Sequence, residues 1–176
     1  MCQNAIVRPS FLVADNGVIK QMSPIIPDDA ITEWKGQYGF LSNYCSCKVE
    51  YDGGVYPTVE HAYQAAKSLD PLYRDKIKAL KNPQWAKNAG SRVQVREDWF
   101  DMSMDTMQSL LRQKFAQPKF REKLIASGDR MLVEGNHWDD TFWGMCQVAK
   151  GLWEGENRLG NLIMQIRDEV KVGGPT

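Results

Sequence analysis

The stretch Pro57–Lys67, PTVEHAYQAAK, predicts a helix that begins directly after the turn signal of a β-hairpin. Thr58 suits the N-cap position, because its hydroxyl can accept a hydrogen bond from a free backbone N–H in the first helical turn. Successive helical residues are about 100° apart, so Glu60, Gln64 and Lys67 share one face. An apolar stripe runs beside that face and should pack on the core as the helix continues to about residue 69: Val59, Ala62, Ala66 and Leu69.

The polar face of this helix has two interpretations. A carboxylate and an amine held together in a cleft can carry out acid, base or nucleophilic chemistry. Glu and Lys one or two turns apart are also common as ion pairs on solvated helix faces. On this segment alone the surface ion pair is the simpler interpretation, so a catalytic role for Glu60 and Lys67 needs support from elsewhere in the chain.

Composition limits the class of protein. The chain has 176 residues, the size of one domain, and 43% of them are hydrophobic, which is enough for a substantial core. Lys and Arg together number 22, and so do Asp and Glu. This balance argues against a nonspecific nucleic-acid coat protein, while it allows a local basic pocket for a phosphorylated ligand.

Cysteine and histidine content bears on metals and on the cellular compartment. None of the four cysteines has a zinc-site spacing and there are only two histidines, so we expect no metal site. With no signal peptide and no apolar run long enough to span a membrane, a reduced, cytoplasmic setting is expected. The cysteines are Cys2, Cys45, Cys47 and Cys146.

The chain divides into an extension and one domain. Residues 1–30 are predicted to be an N-terminal extension with a possible hairpin around Asn16-Gly17, and residues 31–172 form the domain. Many helices, short strands and the lack of an internal linker indicate a single compact α+β domain, mostly helical with a small sheet. Helices are predicted at about 59–69, 71–80, 83–89, from Asp101 or Ser103 to Phe115, 118–126 and 158–170, with strands near 31–34, 47–51, 55, 131–134 and 142–144.

A loop rich in acids and aromatics, Glu134–Gly144 (EGNHWDDTFWG), is a candidate ligand site. Two carboxylates and two tryptophans after a buried strand suit a pocket that stacks a planar ring, with Trp138 and Trp143 as the stacking groups. The alternative is that Asp139 and Asp140 only cap a turn, because Asp is a preferred turn residue.

Two further blocks contain small or polar residues that could hold a sugar phosphate. Gly151–Gly160 enters the last helix, where free N–H groups and the helix dipole attract phosphate, and Arg158 could add charge. Asn157 alone could instead be an ordinary N-cap. Earlier in the chain, Ser42 and Asn43 lie between aromatic residues and could orient a sugar hydroxyl, or they could form only a turn.

Taken in order, these blocks resemble the NADAR superfamily, also called YbiA-like. The resemblance spans about residues 31–170, and it is specific as a joint pattern although each piece alone is weak. The segments that carry it are Phe40–Tyr44 (FLSNY), Pro57–Lys67 (PTVEHAYQAAK), Arg96–Trp99 (REDW), Asp140–Gly144 (DTFWG) and Gly155–Arg167 (GENRLGNLIMQIR).

The resemblance implies a small α+β fold and cofactor-free N-glycosidase chemistry on ribosyl compounds. Its leading implication is removal of ADP-ribose from guanine in a nucleic acid or nucleotide, with transient nucleic-acid contact and no membrane. Its alternative is hydrolysis of phosphoribosyl-aminopyrimidine intermediates of riboflavin biosynthesis. A noncatalytic ADP-ribose- or NAD-binding module would use the same pocket, and a structural protein with a vestigial pocket is a further alternative.

The resemblance also implies roles for individual residues. Glu60 would move the proton and Lys67 would attack the anomeric carbon as an amine, unless a water attacks in its place. Asp140 would be a second polar anchor. The residues implied to bind substrate are Ser42, Asn43, Gln64, Trp99, Trp138, Trp143, Gly144, Asn157 and Arg158.

Overall fold

The structure, a computed structural model, describes residues 11–13, 19–21 and 25–173. Within these ranges it contains helices, short strands and a 3-10 helix at Gly36–Leu41. The helices are α1 (Val59–Ala66), α2 (Pro71–Ala79), α3 (Pro83–Gly90), α4 (Trp99–Ala116), α5 (Pro118–Ala126) and α6 (Arg158–Lys171). The strands are β1 (Phe11–Val13), β2 (Ile19–Gln21), β3 (Val49–Tyr51), β4 (Gly54–Tyr56), β5 (Gly135–Asn136), β6 (Met145–Ala149) and β7 (Leu152–Glu154).

Helix starts follow the local chemistry of the sequence. The Thr58 hydroxyl accepts a hydrogen bond from His61 N at 3.2 Å, as the N-cap prediction requires. Asp70 and Asn82 cap the next two helices in the same way, each directly before a proline that opens the helix. The predicted start of α4 at Asp101 or Ser103 was wrong, because the helix already begins at Trp99.

Helix α1 ends earlier than predicted. It stops at Ala66, with Lys67 at its C-cap, and Leu69 is 64% exposed instead of packing on the core. The hydroxyl of Ser68 accepts a hydrogen bond from Asp70 N at 3.1 Å, which turns the chain into α2. Lys67 therefore lies at the very end of the helix, where its side chain can reach the neighbouring helix α3.

The sheets are smaller than the strand predictions. β3 pairs antiparallel with β4, and β6 pairs parallel with β5 and antiparallel with β7. The strands expected at 31–34 and 131–134 reduce to one parallel bridge between Ile31 and Leu132, and 142–144 is a turn before β6. β1 pairs antiparallel with β2, but the Asn16-Gly17 turn lies outside the described residues.

Helix α1 lies at the centre of the fold. It contacts α2, α3, α4 and the β3–β4 hairpin, and every one of its eight residues is buried. The apolar face predicted for α6 is buried as well. The mostly helical α+β fold is confirmed. The charged face of α1 is therefore enclosed by protein rather than by water, which is where the surface ion-pair interpretation fails.

A buried lysine fixes the loop that follows the 3-10 helix. Lys114 is fully buried, and its Nζ donates to the carbonyls of Leu41 at 3.3 Å and Ser42 at 2.8 Å. Burial lowers the pKa of Lys114 to about 8. These hydrogen bonds tie the loop that carries Ser42 and Asn43 to α4, and they thereby fix the distance between this loop and α1.

Across residues 25–173 and the two N-terminal strands, none of the helices is both long and apolar enough to cross a bilayer. The same residues contain no group of three or more His, Cys, Asp or Glu side chains that could hold a metal ion.

Candidate active site

A buried carboxyl group, that of Glu60, is the centre of the site. Its side chain is 7% exposed, and Gln64 Nε2 donates to Glu60 Oε1 at 2.8 Å. Burial raises the pKa of Glu60, while the Gln64 hydrogen bond and the amines of Lys87 and Lys67 oppose the shift. A raised pKa makes a carboxylate a stronger base, which suits a group that accepts and returns a proton.

The amine of Lys67 lies on the same side of α1. Its Nζ donates to the backbone carbonyl of Gly90 at 3.2 Å and lies 5.9 Å from the ring centres of Tyr63 and Trp99. Burial lowers the pKa of Lys67, the charge of Glu60 opposes this, and the charge of Lys87 adds to the lowering. The lowered pKa increases the fraction of neutral amine, the form that a nucleophile requires.

Aromatic rings form a wall over this amine. Tyr63 contacts Trp99 with ring centres 5.0 Å apart and Trp143 with ring centres 5.6 Å apart. Phe142 extends the wall, edge-on to Trp143. The wall joins α1 and α4 to the loop before β6, so Lys67, Trp99 and Trp143 come together in space. Burial raises the pKa of the Tyr63 phenol, which therefore stays neutral.

The loop that carries Asp140 is fixed by Asn136. Asn136 Nδ2 donates to the Asp140 carbonyl at 2.9 Å, and Asn136 Oδ1 accepts from Asp140 N at 3.1 Å. Asp140 Oδ1 in turn accepts from Trp143 N at 2.9 Å. Asp140 thus caps a turn, as the alternative interpretation held, and its charge also raises the pKa values of Glu60 and Tyr63.

Two further charged residues lie in this cluster, although the sequence analysis gave neither of them a role. The charge of Lys87, on α3, lowers the pKa values of both Glu60 and Lys67. Its Nζ lies 5.4 Å from the ring centre of the half-exposed Trp138. Glu134 comes directly after the buried residues Leu132 and Val133. This position at the end of a buried segment was the one feature of the sequence that could have indicated a role for Glu134. Lys87 is the one charged residue of α3, but no motif or spacing in the sequence connects it with Glu60 or Lys67.

Asn157 holds the backbone of Leu132 and Glu134 in place through its side chain. The residue is fully buried, with Nδ2 donating to Leu132 O at 2.8 Å and Oδ1 accepting from Glu134 N at 3.0 Å. Its side chain makes no cap hydrogen bond to α6, so the capping expectation was wrong, and both polar atoms are occupied by protein. Gly144 packs so closely that a Cβ would overlap the carbonyl of Glu134. Both residues shape the backbone around Glu134.

Arg158 lies close to the aromatic wall. Its guanidinium carbon is 4.1 Å from the ring centre of Phe142, and its Nε donates to Glu156 Oε2 at 2.6 Å. The amides of Glu156 and Leu159 already donate to backbone carbonyls of the preceding loop. The start of α6 therefore offers fewer free N–H groups than predicted, and phosphate binding there depends on the Arg158 side chain.

Asn43 and Ser42 differ in what they offer a ligand. Asn43 O accepts from Glu60 N at 3.1 Å, and Asn43 Oδ1 is buried without a hydrogen-bond partner. A buried acceptor without a partner costs free energy, so it suits a hydroxyl supplied by a ligand. Ser42 Oγ instead accepts from Tyr44 N at 3.1 Å and stabilises the turn.

A groove of about 740 Å³ adjoins the end of α1, where Arg96 N donates to Lys67 O at 2.8 Å. Residues 68–70, Tyr73 and 93–98 line it. It borders the cluster around Glu60 without containing Glu60, Asp140 or Trp143.

Gly90→Ala should reduce turnover at least about tenfold, since a misplaced catalytic group costs that much or more. A Cβ at position 90 would lie 2.6 Å from Gln64 Cδ and would overlap Oε1, so the amide that holds Glu60 must move. Steady-state kinetics and thermal unfolding measure the effect. Gly39→Ala is the matched control because no atom lies within 4 Å of its Cβ position. Unchanged kinetics in Gly90→Ala would show that Gln64 does not set the position of Glu60.

Comparison with known proteins covers nearly the whole described region. The NADAR domain family matches residues 31–171. N-glycosidase YbiA of Escherichia coli K12 is 34% identical over 138 residues, which are 77% of this chain and 83% of that protein. An N-glycosidase of Nostoc punctiforme is 35% identical over 140 residues, covering 76% and 86%. A riboflavin biosynthesis protein of Vibrio vulnificus is 33% identical over 141 residues, 78% of this chain but 37% of that protein.

The fold has a solved counterpart. The NMR structure of the E. coli protein YbiA superimposes with a TM-score of 0.69 at 31% sequence identity, covering 84% of this chain and 89% of that one. Every element that contributes to the cluster around Glu60 lies within the matched range 31–171.

Proposed function

Because the chain belongs to the NADAR domain family, we propose that it is an N-glycosidase that hydrolyses the bond between a ribose and a nitrogenous base. The observation that carries this proposal is the buried Glu60 carboxyl and the Lys67 amine, whose charges act on each other's pKa, next to a wall of aromatic rings. An acid–base group, a desolvated amine and a stacking surface are what cleavage of a glycosidic bond to a planar base requires. A noncatalytic binding module has no need for the first two.

The residues divide the chemistry between them. As the glycosidic bond breaks, positive charge develops on the anomeric carbon and negative charge on the departing base. Lys67 attacks the anomeric carbon, or Glu60 takes a proton from a water that attacks it. In this proposal Asn43 Oδ1 accepts a ribose hydroxyl, and the base stacks on Trp143 or Trp138. The negative charge of Asp140 stabilises the cationic carbon.

For the substrate, we favour ADP-ribose joined to guanine in a nucleic acid or nucleotide. Residues 67–96 contain eight Lys or Arg and two Asp in a chain that is neutral overall, and this excess suits an anionic substrate. Trp143 and the half-exposed Trp138 offer separate stacking surfaces for guanine and adenine. The alternative, a phosphoribosyl-aminopyrimidine intermediate, is favoured by the relative from V. vulnificus named for riboflavin biosynthesis.

One assay separates these functions. The protein is incubated with ADP-ribosylated guanine nucleic acid and, separately, with the riboflavin intermediates, and free base and free sugar are measured. Release from the first substrate supports the favoured reaction, and release from the second alone supports the alternative. Binding of ADP-ribose without release of any base would contradict an enzyme and support the noncatalytic module.

Arg158→Glu should weaken binding of ADP-ribose at least about tenfold and leave binding of free ribose nearly unchanged. The substitution replaces a cation beside Phe142 with an anion that repels phosphate. Free ribose is uncharged, so its binding should not respond to this change of charge. Calorimetric titration with both ligands measures the difference, with the exposed Arg92→Glu as the matched charge reversal. An equal loss for both ligands would contradict a phosphate contact at Arg158.

A further inference from the structure

Glu134 is a partly buried acid whose environment differs from that of Glu60. Its backbone is held on both sides, since Glu134 N donates to Asn157 Oδ1 at 3.0 Å and Glu134 O accepts from Met145 N at 2.9 Å. Its Oε2 is buried without a hydrogen-bond partner. Glu60 accepts an N–H bond from Gln64, which favours the ionised form, whereas no donor serves Glu134 Oε2.

Charged and titratable groups face Glu134 from every side of the site. Asp140 approaches from the loop before β6, Lys87 from α3, Glu60 from α1 and the phenol of Tyr44 from the loop after the 3-10 helix. Burial raises the pKa of Glu134 to about 8, Asp140 and Glu60 add to the shift, and Lys87 opposes it. At neutral pH the carboxyl therefore carries a proton.

We propose that Glu134 is the acid that protonates the departing base, an inference that rests on the glycosidase function proposed above. Two carboxyls in one site, one that accepts an N–H bond from Gln64 and one whose Oε2 accepts none, divide naturally into a base and an acid. Glu60 is then free to serve the attacking group. Asn157 acts on the reaction through Glu134, by fixing the backbone from which this acid projects.

The proton balance of the reaction is complete. The C–N bond breaks, its electron pair goes to the nitrogen of the base, and that nitrogen takes the proton of Glu134. The oxygen of water ends on the anomeric carbon, either directly or after hydrolysis of an imine at Lys67. The proton released by this water passes to Glu60. Exchange with solvent then removes one proton from Glu60 and returns one to Glu134, so that both carboxyls regain their starting states. Ribosyl-base and water give free sugar and protonated base.

The test uses leaving groups with different needs for a proton. A phosphorylated ribose joined to 4-nitrophenol loses a weakly basic anion, whereas the same sugar joined to guanine loses a base that requires a proton. Glu134→Gln should lower turnover of the guanine compound about 10²-fold or more, the usual contribution of a general acid, and change the nitrophenyl compound far less. Activity of wild type on the guanine compound should fall as pH rises through about 8, and this alkaline limb should be missing from Glu134→Gln.

Controls keep a structural role apart from a chemical one. Glu134→Asp retains an acid and should keep an alkaline limb at reduced rate, and Glu122→Gln removes an exposed carboxylate of α5 without effect. Equal losses on both compounds, or an alkaline limb that persists in Glu134→Gln, would overturn the role of Glu134 alone. A wild type that releases neither leaving group would overturn the glycosidase function and this role together.

Discussion

Lys67→Arg should leave the protein folded and able to bind ADP-ribose, while turnover falls to the background of the assay. Arginine keeps the positive charge, but its guanidinium stays protonated and is a poor nucleophile. Burial lowers the pKa of Lys67, so a fraction of neutral amine is available that arginine cannot supply. If Lys67 served only as a counter-charge for Glu60, arginine would retain most of the activity.

The covalent intermediate gives a second readout. Attack by an amine on the anomeric carbon opens the sugar to an imine, and borohydride added during turnover reduces that imine to a stable adduct. Mass spectrometry of peptides from wild type should locate the sugar on Lys67, with no adduct on Lys67→Arg. Binding of ADP-ribose and the midpoint of thermal unfolding should be similar in the two proteins.

Lys87 provides the decisive control, since it is the other amine of the cluster. Lys87→Arg preserves the positive charge that lowers the pKa values of Glu60 and Lys67, so it should reduce activity only moderately. Lys76→Arg changes an exposed lysine of α2 and should have no effect. An adduct on Lys87 would show that Lys87, and not Lys67, is the nucleophile. Full activity of Lys67→Arg, with no adduct in wild type, would leave water as the attacking group and Glu60 as the main catalyst.

The face of α1 shows how far the sequence reaches. The N-cap at Thr58 and the shared face of Glu60, Gln64 and Lys67 depend on residues within two helical turns, so local spacing predicts them. Whether water or protein covers that face depends on α2, α3 and α4, which are specified elsewhere in the chain. Local pattern alone therefore favoured a surface ion pair, and only the family resemblance indicated a cleft.

Residues whose role is set by distant partners were missed or misplaced. Glu134 and Lys87 are 47 positions apart in the sequence, and no period or motif connects them before the chain folds. Asn157 had the right type and position for an N-cap, but the backbone of Leu132 and Glu134 competes for its side chain and wins. Short strands were over-predicted because strand pairing also depends on distant partners. The segments 31–34 and 131–134 form only one bridge, between Ile31 and Leu132.

Burying ionisable groups in the site costs stability, and the carboxyl of Glu60 contributes to that cost. A carboxylate buried beside other acids is less stable ionised than in water, so the folded protein binds its proton more tightly than the unfolded chain. By linkage, the free energy of unfolding falls as pH rises from the ordinary pKa of Glu, about 4.3, through the raised pKa of Glu60. The carboxyl that we propose as the acid–base group is therefore one that weakens the fold at neutral pH.

Glu60→Gln should lower turnover about 10²- to 10⁴-fold, the range for loss of a general acid–base group. It should also raise the midpoint of thermal unfolding at neutral pH, because an amide of nearly the same shape needs no proton and can still accept from Gln64 Nε2. At a pH below the ordinary pKa of Glu, wild-type Glu60 is protonated in both states, and the two midpoints should converge.

Kinetics and unfolding scans at a series of pH values measure both effects on one pair of proteins, with Glu50→Gln as the control. Glu50 is exposed on β3, so its substitution should change neither turnover nor the pH dependence of unfolding. An inactive Glu60→Gln with a lower midpoint at neutral pH would mean that the ionised carboxylate stabilises the fold through Lys87 and Lys67. In that case the amines, rather than burial, would control the proton on Glu60, and its pKa would lie below the ordinary value instead of above it.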